Sequence, residues 1–509
     1  MVAWFDHQPP REAREALEDR GFLVGSVAAS QLKSPIDLIG LCAVVFTQSD
    51  SKRTQVIAQL TAHAELLLDC DVRVIVRPTT DASAAGALSG LGERLGLEVA
   101  EPSALSMPDP PSIRIFGASD GWNVVANYIL EHPPGPAPRP EAELQITLED
   151  SAGNPATLKS SADEILLRRA FWDCSALHLK PMPVGGKSGA TTFRGFAEIA
   201  ESEHGKWPVP YFIKLETRGG TAKEYGNYLK HVAPYVPFHL GPHLATKRCC
   251  LGARKGILVG DFVDESESLL SCAPDGRAAA ALSCLFDRTL VGWYRSAMPY
   301  PKPLSSWLRA PATISVARLA RARVLGATLS PSELAILVNR CTASPTLCGA
   351  RHGDLHARNI LVRATDAIII DFMRHEVGPL VCDVACLEAS LLVDGFADAI
   401  GNQKPEALLA SLVPLYDRLP TTPGIPDANP RDPSRWFYRA VRQLRLHAHQ
   451  METENRQYAG ALACALLGQA KRGRNASEPE ASLRAVAYVL AERVLLHAFG
   501  PLVPSGSPA

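Results

Sequence analysis

The sequence predicts a multidomain protein: an N-terminal α/β domain with a doubly wound parallel sheet, then an α+β region that is β-rich first and helical afterwards. Three observations carry this. Strand-like apolar runs alternate with helix-period segments over residues 1–131, the order of a parallel sheet covered on both faces. A proline-rich stretch, HPPGPAPRPEAE, occupies 132–143, where neither helix nor sheet can continue. Beyond it, paired strand patterns come first and long helix-period segments follow. At 509 residues the chain also exceeds what one hydrophobic core holds.

Composition narrows the function classes. Hydrophobic residues make up 46% of the chain, charged residues 21%, and the formal net charge is −1. No overall field draws nucleic acid or an anionic membrane, so neither is expected as a partner. The start, MVAWFDHQPPREA, lacks a basic segment followed by an apolar run, and no apolar stretch is long enough to span a bilayer. The twelve cysteines are scattered without a C-x-x-C pair. They read as reduced thiols of a cytoplasmic protein, not as zinc ligands.

In the N-terminal domain the strands are read at VAWF, FLVGSV, CAVVF, VRVIV and SIRIF. Helices are read at REAREALEDRG, SKRTQVIAQLTAHAELLLD and ASAAGALSGLGERLG. The order resembles the receiver, or flavodoxin-like, class. A working receiver needs an acidic pair after strand one, an aspartate ending strand three and a lysine after the last strand. Here Asp6 stands beside His7, Gln48 holds the acceptor position, and IRIFGASDGW offers no lysine. Thr79 and Thr80 occupy the place of the switch hydroxyl. The resemblance therefore implies a degenerate, receiver-like interaction module, through which a protein partner could act.

Residues 132–143 are expected to be a semi-rigid spacer marking the first boundary, followed by a β-rich lobe over 144–265, a helical lobe over 266–500 and a disordered tail over 501–509. LQITLED with a turn at AGNP reads as a hairpin, and SADEILLRRAFWD as a helix capped by Ser161 or Asp163. In LHLKPMPVGGKSGATTFRGFAEI two strand-like arms flank a loop containing Gly185, Gly186 and Gly189, which would let backbone N–H groups approach phosphate. A hairpin turn uses the same residues. The Lys187-Ser188 pair is no Walker A ending, because Pro181 stands where the leading glycine belongs. PYFIKLET places Lys214 inside an apolar run, where it needs a partner unless it snorkels from an edge strand. A helix starting near Thr221 offers Glu224 as first choice of partner; Glu216, within PYFIKLET itself, is the second. KGILVGDFVDE reads as a strand entering a hinge at 260–263. Residues 266–345, and three segments after 434, have helical periodicity.

The stretch CGARHGDLHARNILVRATDAIIIDF, residues 348–372, reads as a polar loop, a strand, a tight turn and a second strand ending on an acid. His352 and His356 flank Asp354, but a zincin needs glutamate where Gly353 stands, and its motif lies on a helix. HGDLHARNILV followed by IIIDF resembles the aminoglycoside and choline phosphotransferase branch of the protein-kinase-like superfamily, over roughly residues 144–500. That resemblance implies a bilobal fold with a β-rich N-lobe and a helical C-lobe, ATP and Mg²⁺ as cofactors, and the hydroxyl of a small molecule as phosphate acceptor. By position, Asp354 resembles the catalytic base, and Asn359 and Asp371 the metal ligands. Lys214, paired with Glu224, resembles the phosphate-gripping lysine, and Gly185, Gly186 and Gly189 the phosphate loop. His352 would steady the catalytic-loop backbone, and Asp383 would tie that loop to the helix behind it.

Gly353 replaces an arginine that reads activation-loop phosphate in protein kinases. The stretch from Asp371 to Asp383 is short and no A-P-E follows, which favours a compact acceptor. Met373 replaces the glycine of D-F-G. The alternative is a catalytically weak or inactive pseudokinase acting as a nucleotide-binding signalling scaffold. Asp394 and Asp398 lie where they could face a cationic acceptor, or simply on a solvated helix face.

Overall fold

Strand β1 (Val2–Phe5) shows why the N-terminal segment folds as a two-faced sheet. All four of its residues are buried. Val2 and Trp4 enter one core, with Ala13, Leu17, Val125 and Ile129. Ala3 and Phe5 enter another, with Leu60, Ala64 and Leu67. Successive side chains in a strand point to opposite faces, so a continuous apolar run serves two cores at once. The first core belongs to helices α1 (Arg11–Glu18) and α3 (Trp122–Glu131), the second to α2 (Arg53–Asp69). The sheet also contains β2 (Val24–Val27), β3 (Ala43–Gln48), β4 (Arg73–Pro78), β5 (Val99–Ala100) and β6 (Ile113–Ile115). Its order is β2-β1-β3-β4-β6-β5, and every pairing is parallel. The doubly wound parallel sheet is as expected; the two-residue β5 at its edge is additional.

The computed structural model describes residues 1–48, 53–78, 112–182, 189–200, 207–342, 344–397, 404–417, 434–454, 456–473 and 477–500, with a few more between 92 and 100 and between 419 and 432. Thr79, Thr80, Gly185, Gly186, Asp398 and the tail 501–509 lie outside these. The chain divides into two compact units: Met1–Tyr225 with His243–Phe262, and Gly226–Pro242 with Val263–Ala509.

The first unit holds a second, seven-stranded sheet of order β12-β13-β11-β10-β9-β7-β8. Its strands are β7 (Gln145–Glu149), β8 (Pro155–Ala156), β9 (Cys174–Pro181), β10 (Thr191–Ile199), β11 (Val209–Thr217), β12 (Cys250–Leu251) and β13 (Lys255–Asp261). All pairings are antiparallel except β7 with β9. Helix α4 (Ser161–Ala170) buries Leu166, Leu167 and Ala170 against Leu177, Leu179, Ile213 and Val259. Neither expected residue caps α4. Its N-cap is Ser160, without a side-chain bond, and the Asp163 carboxylate instead accepts from Lys255 Nζ at 2.8 Å.

Residues 132–143 lie in this unit as a strap. Arg73 donates to the carbonyls of His132 and Pro133 at 3.0 and 3.1 Å, and the Gly135 N–H donates to Asp71 at 2.6 Å. Arg169 of α4 bonds the carbonyls of Asp69 and Leu251 and lies 3.1 Å from the same Asp71 carboxylate. One buried acid thus joins the parallel sheet, the strap and the mixed sheet.

The second unit carries two three-stranded sheets among helices. One has the order β14 (Glu267–Ser268), β17 (Ile360–Arg363), β18 (Asp366–Ile369); the other β15 (Met298–Tyr300), β16 (Thr346–Arg351), β19 (Glu376–Pro379). Strands β14, β15 and β19 were not legible as strands. Helix α6 (Val381–Gly395) is buried nearly all round, as befits the centre of a bundle. Helices α7 (Arg435–Met451), α8 (Gln457–Lys471) and α9 (Glu478–Phe499) pack against it. At its heart Arg445 lies 2.7 Å from Glu388, and the Tyr458 hydroxyl donates to the same carboxylate at 2.7 Å. A buried carboxylate persists because both neighbours satisfy it. No helix among the described residues is long and apolar enough to cross a membrane.

Candidate active site

In the first unit the lysine lies on a central strand. Strand β11 has β10 on one side and β13 on the other, so the edge-strand explanation for Lys214 does not apply. Its side chain is 6% exposed, and Nζ lies 2.7 Å from Glu224 and 3.3 Å from Glu216. Both expected partners therefore reach it, and Glu224 accepts its hydrogen bond. Glu224 rides on helix α5 (Arg218–Asn227), which follows β11 directly. Gly256 of β13 lets that helix approach: a Cβ there would sit 2.7 Å from the Thr221 methyl. Strands β9 and β10 pair antiparallel across residues 182–190, as expected for the glycine-bearing loop. Gly189 has φ +75°, a conformation glycine adopts without strain.

In the second unit the polar loop after β16 is held from behind. Asp383, in the first turn of α6, accepts the backbone N–H groups of His352 at 2.7 Å and Gly353 at 3.1 Å. His352 is fully buried, its Nε2 2.9 Å from the Ile370 carbonyl and its ring 5.7 Å from that of Phe372. Gly353 has φ +77°, and a Cβ there would lie 2.2 Å from the Arg374 carbonyl oxygen. That clash, together with the backbone angle, gives glycine a local structural reason at this position.

Asn359 and Asp371 are joined through the β17–β18 pairing. The Asn359 side-chain nitrogen donates to the Asp354 carbonyl at 3.1 Å, and the Ile370 N–H donates to the Asn359 carbonyl at 3.0 Å. The amide nitrogen is thereby committed, leaving its oxygen for a ligand. Asp371 follows Ile370 with φ +66°, a left-handed conformation that non-glycine residues adopt mainly under local constraint. An amide oxygen and a carboxylate are hard donors of the kind Mg²⁺ takes. The residue after it is tied down as well: the Phe372 carbonyl accepts from Asn227 at 2.7 Å.

Two arginines that the sequence did not single out flank Asp354. Arg374 lies 3.5 Å from one carboxylate oxygen and Arg472 3.6 Å from the other. Arg374 was visible three positions after Asp371; Arg472, at the end of α8, gave no local signal. Its backbone is fixed by Arg318, which donates to the carbonyls of Ala470, Arg472 and Gly473 at 2.5, 2.7 and 2.8 Å. His356 is held below its ordinary pKa by burial, against the opposing pull of Asp354 and Asp394. Asp394 accepts from the Ser390 hydroxyl, which itself accepts the Ala357 N–H, both at 3.1 Å. Asp394 is thus tied to the polar loop through Ser390. The short stretch after Asp371 is occupied by β19, paired along its length with β16.

The family described as ternary complex associated domain 9 matches residues 336–471. No curated protein matches the chain. Among solved structures, an amicoumacin kinase in complex with AMP-PNP and Ca²⁺ is 12% identical, covering 62% of this chain and 88% of its own, with a TM-score of 0.34. A glucosamine kinase in complex with glucosamine, ADP and inorganic phosphate is 12% identical, covering 62% and 93%, with a TM-score of 0.32. A choline kinase from Cryptosporidium parvum is 11% identical, covering 62% and 86%, with a TM-score of 0.29.

Proposed function

We propose that the chain is an ATP- and Mg²⁺-dependent phosphotransferase acting on a hydroxyl group of a small molecule. The observation that carries this reading is the local tethering of Asn359: its side-chain nitrogen donates to the Asp354 carbonyl, and its own carbonyl accepts the N–H of Ile370, the residue before Asp371. Asp354 would take the proton of the acceptor hydroxyl. The acceptor oxygen would form its bond to the γ-phosphorus as the bond to the β,γ-bridging oxygen breaks, releasing ADP. Asn359 and Asp371 would hold the metal, which when bound offsets phosphate charge. Lys214, aligned by Glu224, is assigned to the nucleotide phosphates. Arg374 and Arg472 beside Asp354 favour an acceptor without a positive charge next to its reactive hydroxyl.

The Asp354→Asn variant tests this. It should lose turnover by about 10²-fold or more while keeping ATP affinity. Retained turnover would refute the assignment of the base. The rival reading, a nucleotide-binding scaffold without turnover, is favoured by one observation: Arg374 and Arg472 stand 3.5 and 3.6 Å from the two Asp354 carboxylate oxygens, the place an acceptor hydroxyl would have to take. ATP binding by the wild type without consumption, across a panel of hydroxyl compounds, would decide for the scaffold.

A further inference from the structure

A cavity of about 270 Å³ lies within the first unit, where the parallel sheet and its strap meet the mixed sheet. It matters because of what its walls are made of. One wall is helix α5, through Thr221, Ala222 and Tyr225. The facing wall is the Asp71 junction, with Arg73 and Arg169. Leu251, Leu258 and Ala170 make much of the remaining lining apolar, and Lys247 contributes a third cation.

Two features distinguish this space from a packing fault. The first is charge. Arg73, Arg169 and Lys247 face a single lining carboxylate, Asp71. Asp69 behind the wall is turned to the Ala253 N–H at 2.8 Å, and burial pushes its pKa up, which weakens it as a countercharge. The second is an orphaned polar atom. The Thr221 hydroxyl is buried without a hydrogen-bond partner, on a residue only 2% exposed. Buried hydroxyls are normally satisfied, and leaving one bare costs about 1–3 kcal/mol. Thr221 lines the cavity, and a turn of its side chain toward a bound acceptor atom would remove that cost.

We propose that this cavity is a binding site for a small amphiphilic anion, an apolar body of one or two rings bearing a carboxylate or phosphate, and that its occupancy steadies helix α5. Its volume is near the lower end for small-molecule sites, which suits a compact ligand. The anionic group meets the cationic surplus and the Thr221 hydroxyl, and the rings meet the leucines and Tyr225. With 3.6 residues per turn, Glu224 stands roughly 100° round the helix from the lining face. A ligand seated against α5 therefore constrains the element that presents Glu224 to Lys214. The N-terminal domain, through the strap and Asp71, supplies the wall that makes the space.

The test is isothermal titration of the full chain with 2-naphthoate, alongside neutral 2-naphthylmethanol and cationic 2-naphthylmethylammonium. The expected result is one saturable site for naphthoate, at least tenfold tighter than for the cation. Ala222→Trp should fill the space and abolish binding, Lys247→Glu should weaken it about tenfold, and Thr221→Val should weaken it several-fold. Should Ala222→Trp fail to fold by circular dichroism, the other two variants decide. Hydrogen exchange over residues 218–225 should slow on saturation. No saturable binding, equal affinity for the cation, or affinity unchanged in the folded variants overturns the site. Exchange unchanged at saturation overturns its hold on α5. None of these readouts depends on phosphoryl transfer.

Discussion

Lys214 Nζ sits 2.7 Å from Glu224 and 3.3 Å from Glu216, and all three residues are buried. Removing the lysine leaves two carboxylates side by side in a low dielectric, where both cannot remain ionised. In Lys214→Met, one folded-state carboxyl pKa should rise above its unfolded value. The folded state then binds more protons than the unfolded state, so stability is lost as pH rises through that window. Urea denaturation should show the variant about 3 kcal/mol less stable than wild type at pH 8 and closer to it at pH 5. A gap independent of pH would contradict this account.

Asp371 combines a left-handed backbone with the proposed metal-ligand role. Asn tolerates that conformation better than Ala. Asp371→Ala and Asp371→Asn should therefore both lose the Mg²⁺ dependence of ATP affinity, by tenfold or more, while only Ala loses about 1 kcal/mol in addition. Calorimetric titrations of ATP with and without Mg²⁺ check the first expectation, and thermal melts the second.

Gly353 is required by its surroundings. Gly353→Ala would add strain at φ +77° and drive a methyl to 2.2 Å from the Arg374 carbonyl, costing about 3 kcal/mol or more. Gly219, in α5, offers the control: a Cβ there meets nothing within 4 Å. Gly219→Ala should be neutral or slightly stabilising. Equal melting temperatures for the two variants would remove the steric explanation.

His375 stacks on His231 at 4.2 Å and meets Trp293 edge-on at 4.9 Å. Burial first, then His231 and His352, bring its pKa down to about 4. In the unfolded chain the imidazole titrates near its ordinary value. Between that value and pH 4 the unfolded state binds the extra proton, so stability falls as pH falls through this window. The loss approaches about 3 kcal/mol near pH 4. His375→Asn should flatten that part of the stability–pH curve in chemical denaturation; an unchanged slope would assign the effect elsewhere.

What the sequence disclosed was local. The continuous apolar run VAWF implies a strand, and the stretch from His352 to Asp371 sets an acid and an amide before one strand–turn–strand and an acid after it, because β17 and β18 pair at short range. Lys214 was legible as a charge in an apolar run. The pairing of β15 and β19 with β16 was not, because three- and four-residue strands owe their form to a distant partner more than to their own composition. Arg472 approaches Asp354 only once a whole helix has been laid down. The Asp71 junction was equally hidden: an acid in a turn, an arginine on a helix and a proline-rich stretch carry no mutual signal until the chain is folded.

That junction bears on how the protein can be divided. A chain begun at residue 144 would strip Arg169 of the Asp71 carboxylate and the Asp69 carbonyl at one stroke, leaving a cation bare on what had been interior. Its natural cut therefore does not fall at the prolines. The parallel sheet is a foundation of the lysine-bearing half and no detachable passenger.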